Sequence, residues 1–260
     1  MAPMWFPAGL SARLWGQRIR RPFSNKTTSA ILHFSPLVKP YPPEAFRGNA
    51  NPEMEWHTAE ACVQAANQAA APAVWLGGVE PLLHPTIGKV TTALEQSRRY
   101  VFLDTGGCDL RKRVHEFQPS SRFFFAFQLC TEEIVRGGET GRIAMQRVSE
   151  ALRIVKLSGF YACAHVIVGE QASVSETGRL LAALKARRFD GIVVSSGQDS
   201  TLPLRDSIHG KKIAEIRERI PSWRWRRFSQ LLEASCLWTT DAKEPSDIQA
   251  SGADACEESA

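Results

Sequence analysis

The residues of this chain best suited to chemistry fall in a few short runs. One is Leu76-Gly77-Gly78-Val79-Glu80-Pro81-Leu82-Leu83-His84-Pro85, in which two glycines precede a carboxylate. Glycines after an apolar run suggest a phosphate cradle. Neither the GxGxxG spacing nor a P-loop lysine follows, so that reading is discarded. Glu80 then reads either as a polar anchor for the turn that follows or as a ligand contact. A second run, Asp104-Thr105-Gly106-Gly107, has the form of a strand-to-helix turn in which glycines supply the sharp reversal, with a ligand contact as the alternative reading. Cys108 and Cys130 each fall just beyond an expected strand, and with His165 they would make a thiolate–imidazole metal site. Their spacing lacks the pairing that metal sites show, which favours small apolar fillers instead. No residue is assigned a catalytic or a metal-ligating role on these grounds.

These runs need elements to position them. Short β-rich stretches are expected at Ser29–Phe34, Ala73–Leu76, Tyr100–Asp104, Arg122–Gln128, Phe160–Val168 and Gly191–Ser195. Helical stretches alternate with them at Thr58–Ala69, Thr86–Ser97, Asp109–Phe117, Arg142–Leu157, Ser175–Arg188 and Lys211–Arg219. Thr58 and Asp109 are placed to cap their helices, and Gly159 to end one. Ala144, Val148, Ala151, Leu152 and Val155 recur at helical spacing and define a buried face. Repeated strand–helix units imply parallel strands with right-handed crossovers. Periodicity leaves an open doubly wound sheet and a partial barrel as alternatives. In both, ligands bind at the carboxyl ends of the strands.

The whole-chain numbers bound the class. A length of 260 residues, 43% hydrophobic and 23% charged, suits one α/β domain with tails. The formal charge of +5 is unevenly spread. No acidic residue precedes Glu44, whereas Arg13, Arg18, Arg20, Arg21, Lys26 and Lys39 do. Residues 241–260 reverse the sign and are expected to be disordered. The other cysteines, Cys62, Cys163, Cys236 and Cys256, are as scattered as the first two, which fits reduced thiols and a cytoplasmic compartment. No apolar run reaches the roughly 20 residues of a membrane span.

Several anchors, in order, give the chain a family resemblance. They are Tyr41-Pro42, Met54 and the Thr58–Cys62 helix, then Val79-Glu80-Pro81-Leu82-Leu83-His84 and Tyr100-Val101-Phe102-Leu103-Asp104-Thr105. The helix ending at Val155–Phe160, Phe189-Asp190-Gly191-Ile192-Val193-Val194-Ser195 and Trp223-Arg224-Trp225-Arg226-Arg227-Phe228 complete them. With these the chain resembles the radical SAM superfamily, most closely its hopanoid-biosynthesis branch, which forms adenosylhopene. The resemblance spans about residues 39–238 and implies an α/β fold, a partial (βα)6 TIM-type barrel of the radical SAM kind. It implies S-adenosylmethionine and a [4Fe–4S] cluster held by a Cx3CxxC triplet just after the first strand. It also implies cofactor-binding roles for Gly78, Glu80, Thr105, His165 and Ser195. Gly78 and Glu80 would hold the methionine amino end, Thr105 and Ser195 would lie near the ribose or adenine, and His165 would face the cavity.

The chain departs from the family at the place that matters most. The loop Phe34-Ser35-Pro36-Leu37-Val38-Lys39-Pro40-Tyr41-Pro42-Pro43 has no cysteine, histidine or carboxylate, so the thiolates that iron–sulfur clusters need are missing. Val79 either replaces the second glycine of the family's turn or, with Gly77 and Gly78 as the pair, is a one-residue insertion, and Gly106 stands where the family commonly has an asparagine. The expectation is a degenerate radical-SAM-like protein that binds rather than catalyses. The alternatives are an active enzyme transferring an adenosyl group to a lipid through an unconventional cluster site, or a membrane-surface structural protein. The expected organisation is a basic amphipathic segment at 1–26, a core at 27–222, a Trp/Arg-rich helix at 223–240 and the acidic tail. In the first segment, Trp5, Phe6, Leu10, Leu14, Trp15 and Ile19 interleave with arginines. That pattern suits either a lipid surface engaged through residues 1–24, placing the protein at the membrane periphery, or a helix covering one end of the barrel. An active paralogue is the other expected partner. The Trp/Arg cluster at residues 217–227 is read as a solvated, cation–π-laced helix end rather than a nucleic-acid surface.

Overall fold

A computed structural model describes residues 4–20, 30–38, 54–135, 138–196 and 208–235. Its centre is a sheet of six parallel strands, β1 (Ile31–Phe34), β2 (Ala73–Leu76), β3 (Tyr100–Thr105), β4 (Phe123–Cys130), β5 (Tyr161–Val168) and β6 (Gly191–Ser196). Each strand pairs with the next in sequence, in the order β1 to β6. Parallel strands joined in that order keep every right-handed crossover on one side, so the sheet curls with helices outside. The result is the partial TIM-type half-barrel that the resemblance implied, not a doubly wound sheet. Between the strands lie α2 (Ala59–Gln68), α3 (Ile87–Gln96), the single turn α4 (Leu110–Arg113), α5 (Thr131–Val135), α6 (Gly138–Leu157) and α7 (Val174–Ala186). A helix α1 (Ala8–Arg20) precedes them, and α8 (Ile208–Glu218) and α9 (Trp223–Ala234) follow.

Local chemistry explains the boundaries. The Thr58 hydroxyl accepts from the Ala61 amide at 3.2 Å and so starts α2. Gly159, at φ +81°, ends α6. Asp109 gives α4 no side-chain cap; it pairs with Lys112 instead, and the helix tightens into a 3-10 turn at Val114–Glu116. α5 was not anticipated from the sequence, because one turn is too short to show a period.

Strand alternation gives the sheet two apolar faces. Phe123, Phe125 and Phe127 point toward the helices, where Phe117, Phe160 and Phe189 meet them. The concave face carries His33, Trp75, Phe102, Phe124 and Tyr161 in register across five strands. Trp75 stacks on Phe102 and Phe102 on Phe124, with centroids 5.5 and 4.9 Å apart. α9 lies against this face and buries Trp225 and Phe228 in it. Gly191 allows the approach, since a Cβ there would sit 2.1 Å from the Trp225 ring.

The chain before α1 closes the amino ends of the strands. Trp5 stacks on Tyr161 at 4.1 Å, Phe6 packs edge-on to Trp225, and Phe6 and Leu10 are buried. Trp225 also donates its indole N–H to the Trp5 carbonyl at 3.1 Å. These contacts are those of a helix covering one end of the barrel. Trp15, on the outer side of α1, remains 57% exposed. The cluster at 217–227 is less solvated than its composition suggested. Arg224 lies over Trp223 at 5.5 Å, but Arg217 is buried against Glu233. The tail at 241–260, Cys236, Cys256 and Tyr41-Pro42 lie outside the described residues.

Among the described residues, the edge of β6 away from β5 is finished by side chains rather than by another strand. Ser229 accepts from the Val194 amide at 3.1 Å, Arg217 donates through Nε to the Val194 carbonyl at 3.1 Å, and Glu233 accepts from the Ser196 amide at 3.0 Å. Buried backbone groups must be paired, and these three residues do for the edge what a strand ladder would.

Candidate functional site at the carboxyl ends of the strands

Two polar clusters occupy the carboxyl ends of the strands, the end at which such barrels bind ligands. The first organises the turn after β2. Gly78 adopts φ +91°, a conformation that glycine tolerates and side chains rarely do. Glu80 then folds its carboxylate back onto the chain. Oε1 accepts from the Thr105 hydroxyl at 2.5 Å and from the Leu82 amide at 3.2 Å, and Oε2 accepts from the Gly106 amide at 2.8 Å. Burial raises the Glu80 pKa, against which these hydrogen bonds pull. Thr105 in turn accepts from the Gly107 amide at 2.9 Å. The carboxylate therefore anchors the turn, one of the two roles read from the sequence. Arg113 fixes the far side by donating to the Leu82, His84 and Pro85 carbonyls while pairing with Glu116.

The second cluster crosses the concave face. Asp104, Gln128, His165 and Ser195 extend from β3, β4, β5 and β6, beyond the aromatic layer. Ser195 Oγ lies 2.7 Å from His165 Nε2, and His165 Nδ1 lies 2.9 Å from Asp104 Oδ1. Asp104 Oδ2 accepts from the Trp75 indole N–H at 3.1 Å and from the Gln128 amide at 3.0 Å. Asp104, His165 and Ser195 are 1%, 6% and 4% exposed. The small Ala126 stands between Asp104 and Cys163 in the register, leaving room for the carboxylate to reach the imidazole two strands away. An ionised carboxylate only accepts hydrogen bonds, so Nδ1 carries the proton and Nε2 is the acceptor facing Ser195. The tautomer follows from the network.

The five residues that the resemblance singled out therefore fall into two groups. Glu80 and Thr105 join directly, with Gly78 in the same turn; His165 and Ser195 join directly on the concave face. Thr105 pairs in register with Phe127 and so projects from the opposite face of β3 to Asp104. Sequence reasoning missed Asp104 as a site residue, and with it Trp75 and Gln128. The available signal was a carboxylate closing the otherwise apolar strand Tyr100-Val101-Phe102-Leu103, which is costly to bury without partners.

The loop after β1, where the family places its cluster, is packed apolar chain as far as it is described. Leu37 is 1% exposed and bridges Trp56 in antiparallel fashion. The Val38 amide donates to the Glu55 carbonyl and the His57 amide to the Pro36 carbonyl, each at 2.9 Å. The Ser35 hydroxyl accepts from the Leu37 amide. His84 ties this loop to the next: its Nε2 donates to the His57 carbonyl at 2.9 Å and its Nδ1 accepts from the Thr86 amide at 3.0 Å. These residues offer no soft ligand, so they do not fit an iron–sulfur cluster. His33 is turned away, its Nε2 on the Leu232 carbonyl at 3.0 Å, and burial pushes its pKa down to about 4. The cysteines do not substitute. Cys108 is exposed, Cys130 is half-buried, burial pushes the Cys62 thiol up to about 12 and raises that of Cys163 as well, and His165 is held by Asp104 and Ser195. Among the described residues no three His, Cys, Asp or Glu side chains converge as a metal site. No described helix is long and apolar enough to cross a membrane.

No family model matches the chain, and no curated protein does. Among solved structures it is similar to SuiB of Streptococcus suis. With SuiB bound to the precursor peptide SuiA it shares 15% identity at a TM-score of 0.51, over 69% of this chain and 42% of that one. With SuiB bound to S-adenosylmethionine the values are 14% and 0.52, over 75% and 48%. A third structure of SuiB gives 15% and 0.50, over 74% and 45%. The chain thus spans less than half of the SuiB chain. At that identity the likeness is one of fold: this protein is a half-barrel of parallel strands with helices outside, consistent with a partial TIM-type radical SAM fold.

Proposed function

We propose that this protein is a degenerate member of the radical SAM scaffold, related to the hopanoid-biosynthesis enzymes, that holds no cluster and acts by binding. The observation that carries the reading is the loop after β1, where Leu37 is buried and bridged to Trp56 in the place of cysteine thiolates. Without thiolates in that loop there is no ligand set for the cluster that would deliver an electron to a sulfonium. S-adenosylmethionine, which one of the SuiB structures contains, would here meet a Glu80 carboxylate already occupied by Thr105, Leu82 and Gly106.

The proposed partner is a lipid surface, engaged through residues 1–24 from the cytoplasmic side, or an active paralogue. The outward Trp15 and the arginines of that segment support it, since aromatic and basic residues together suit an anionic interface. Two assays test the reading. Incubation with S-adenosylmethionine and a strong reductant after iron and sulfide treatment is expected to yield no 5′-deoxyadenosine; turnover would overturn the cluster-free assignment. Flotation with anionic vesicles is expected to carry the full chain and to fail for W15A combined with R18Q, R20Q and R21Q, which leaves the Trp5, Phe6 and Leu10 contacts in place. Equal flotation of both would remove the lipid role.

A further inference from the structure

The Ser195–His165–Asp104 chain has no part in the binding role proposed above, yet its geometry is specific. A hydroxyl, an imidazole and a carboxylate from three strands lie in one hydrogen-bonded line, at 2.7 and 2.9 Å. The direction of that line is set by its far end. The Trp75 indole can only donate, and it and Gln128 occupy Asp104 Oδ2, which leaves Oδ1 for the His165 Nδ1–H. Nε2 is then an unprotonated base aimed at the Ser195 hydroxyl. The Trp75 ring, edge-on to the imidazole at 5.0 Å, restricts its rotation. The neighbouring Ser196 shows that this is not a general property of the strand end, since its hydroxyl and its amide both bond to Glu233.

We propose that Ser195 is an activated nucleophile, with His165 as its general base and Asp104 as the residue that positions the imidazole, acting on an uncharged carboxylic ester or thioester at the carboxyl end of β6. The arrangement of roles is that by which a serine attacks an acyl carbon. The Ser195 oxygen forms a bond to the carbonyl carbon while its proton passes to His165 Nε2. The bond to the alcohol or thiol then breaks, and that leaving group takes the proton. Water repeats the sequence on the acyl-serine, giving the free acid and restoring the hydroxyl. No electrons change hands. The charge beside the nucleophile selects the substrate: the Asp104 carboxylate bonds to His165, Trp75 and Gln128 and to no lysine or arginine among the described residues, so a phosphate ester would be repelled where a neutral ester would not. Ser195, next to last in β6, is at the carboxyl end of the strands, where such barrels bind ligands, and is only 4% exposed, so small acyl groups are favoured.

The test treats the folded full-length chain with diisopropyl fluorophosphate, maps the adduct by peptide mass spectrometry, and follows p-nitrophenyl acetate hydrolysis in parallel. The expected result is an adduct on Ser195 that prior unfolding of the chain prevents. H165Q and S195A are expected to lose it, and S195A to lose catalysed hydrolysis. D104N removes the acceptor that fixes the tautomer, so kcat should fall by roughly a thousandfold with KM little changed. S196A should label like the unaltered protein. No adduct on the folded chain, an adduct only at other residues, or equal hydrolysis by S195A overturns the proposal. The wild-type mapping decides the question even where a variant fails to fold. Iron content does not enter it, so its failure is distinct from failure of the cluster-free reading.

Discussion

His33 illustrates how a residue's environment replaces its apparent chemistry. It sits in the strand that leads into the loop after β1, yet it donates to the Leu232 carbonyl near the end of α9 and is 3% exposed. Burial holds its pKa at about 4 against an ordinary 6.5. The unfolded chain therefore takes up the proton first. The stabilising contribution is present above pH 6.5 and is lost as pH falls toward about 4, a window worth about 3 kcal/mol. Glu80, whose pKa burial raises, pulls the pH dependence the other way, so the comparison must be between variants. His33→Gln keeps a donor toward Leu232 and removes the titration. Denaturant melts across that window should show a shallower acid limb for H33Q than for the unaltered protein; identical limbs would contradict the assignment.

At the scale of elements, the least legible feature in the sequence was how the barrel ends. The β-rich apolar runs in Phe123–Cys130 and Tyr161–Val168, and the helical spacing in α6, were readable because each extends over several residues. The alignment of Asp104 with His165 was not, since it depends on register across two strands and on a small residue at Ala126. The edge contacts of Ser229, Arg217 and Glu233 were hidden for a similar reason: helix side chains pair with a strand far away in sequence. Composition even pointed the wrong way for Arg217, which read as solvated and is buried. Ser229 gives the cleanest test. Ser229→Ala leaves the Val194 N–H buried without its acceptor, which should cost about 1–3 kcal/mol in denaturant unfolding. A change within error would mean that the edge does not rely on α9.

Considered whole, the molecule is a half-barrel of six parallel strands whose concave face is filled by its own side chains. Aromatic side chains from α9 and from the segment before α1 pack the amino-terminal part of the concave face, and a polar relay crosses its carboxyl end. The resemblance was legible in motif order, and the fold it implied is present; the absence of cysteine thiolates from the first loop was legible as well. What takes their place was not, because Leu37 meets Trp56 only through a bridge between two loops. The measurement that addresses the central claim is iron per chain after anaerobic reconstitution with iron and sulfide, with electron paramagnetic resonance recorded after reduction. The account predicts no stoichiometric iron and no reduced-cluster signal. About four irons per chain, as one [4Fe–4S] cluster requires, with a signal that shifts on adding S-adenosylmethionine, would contradict it.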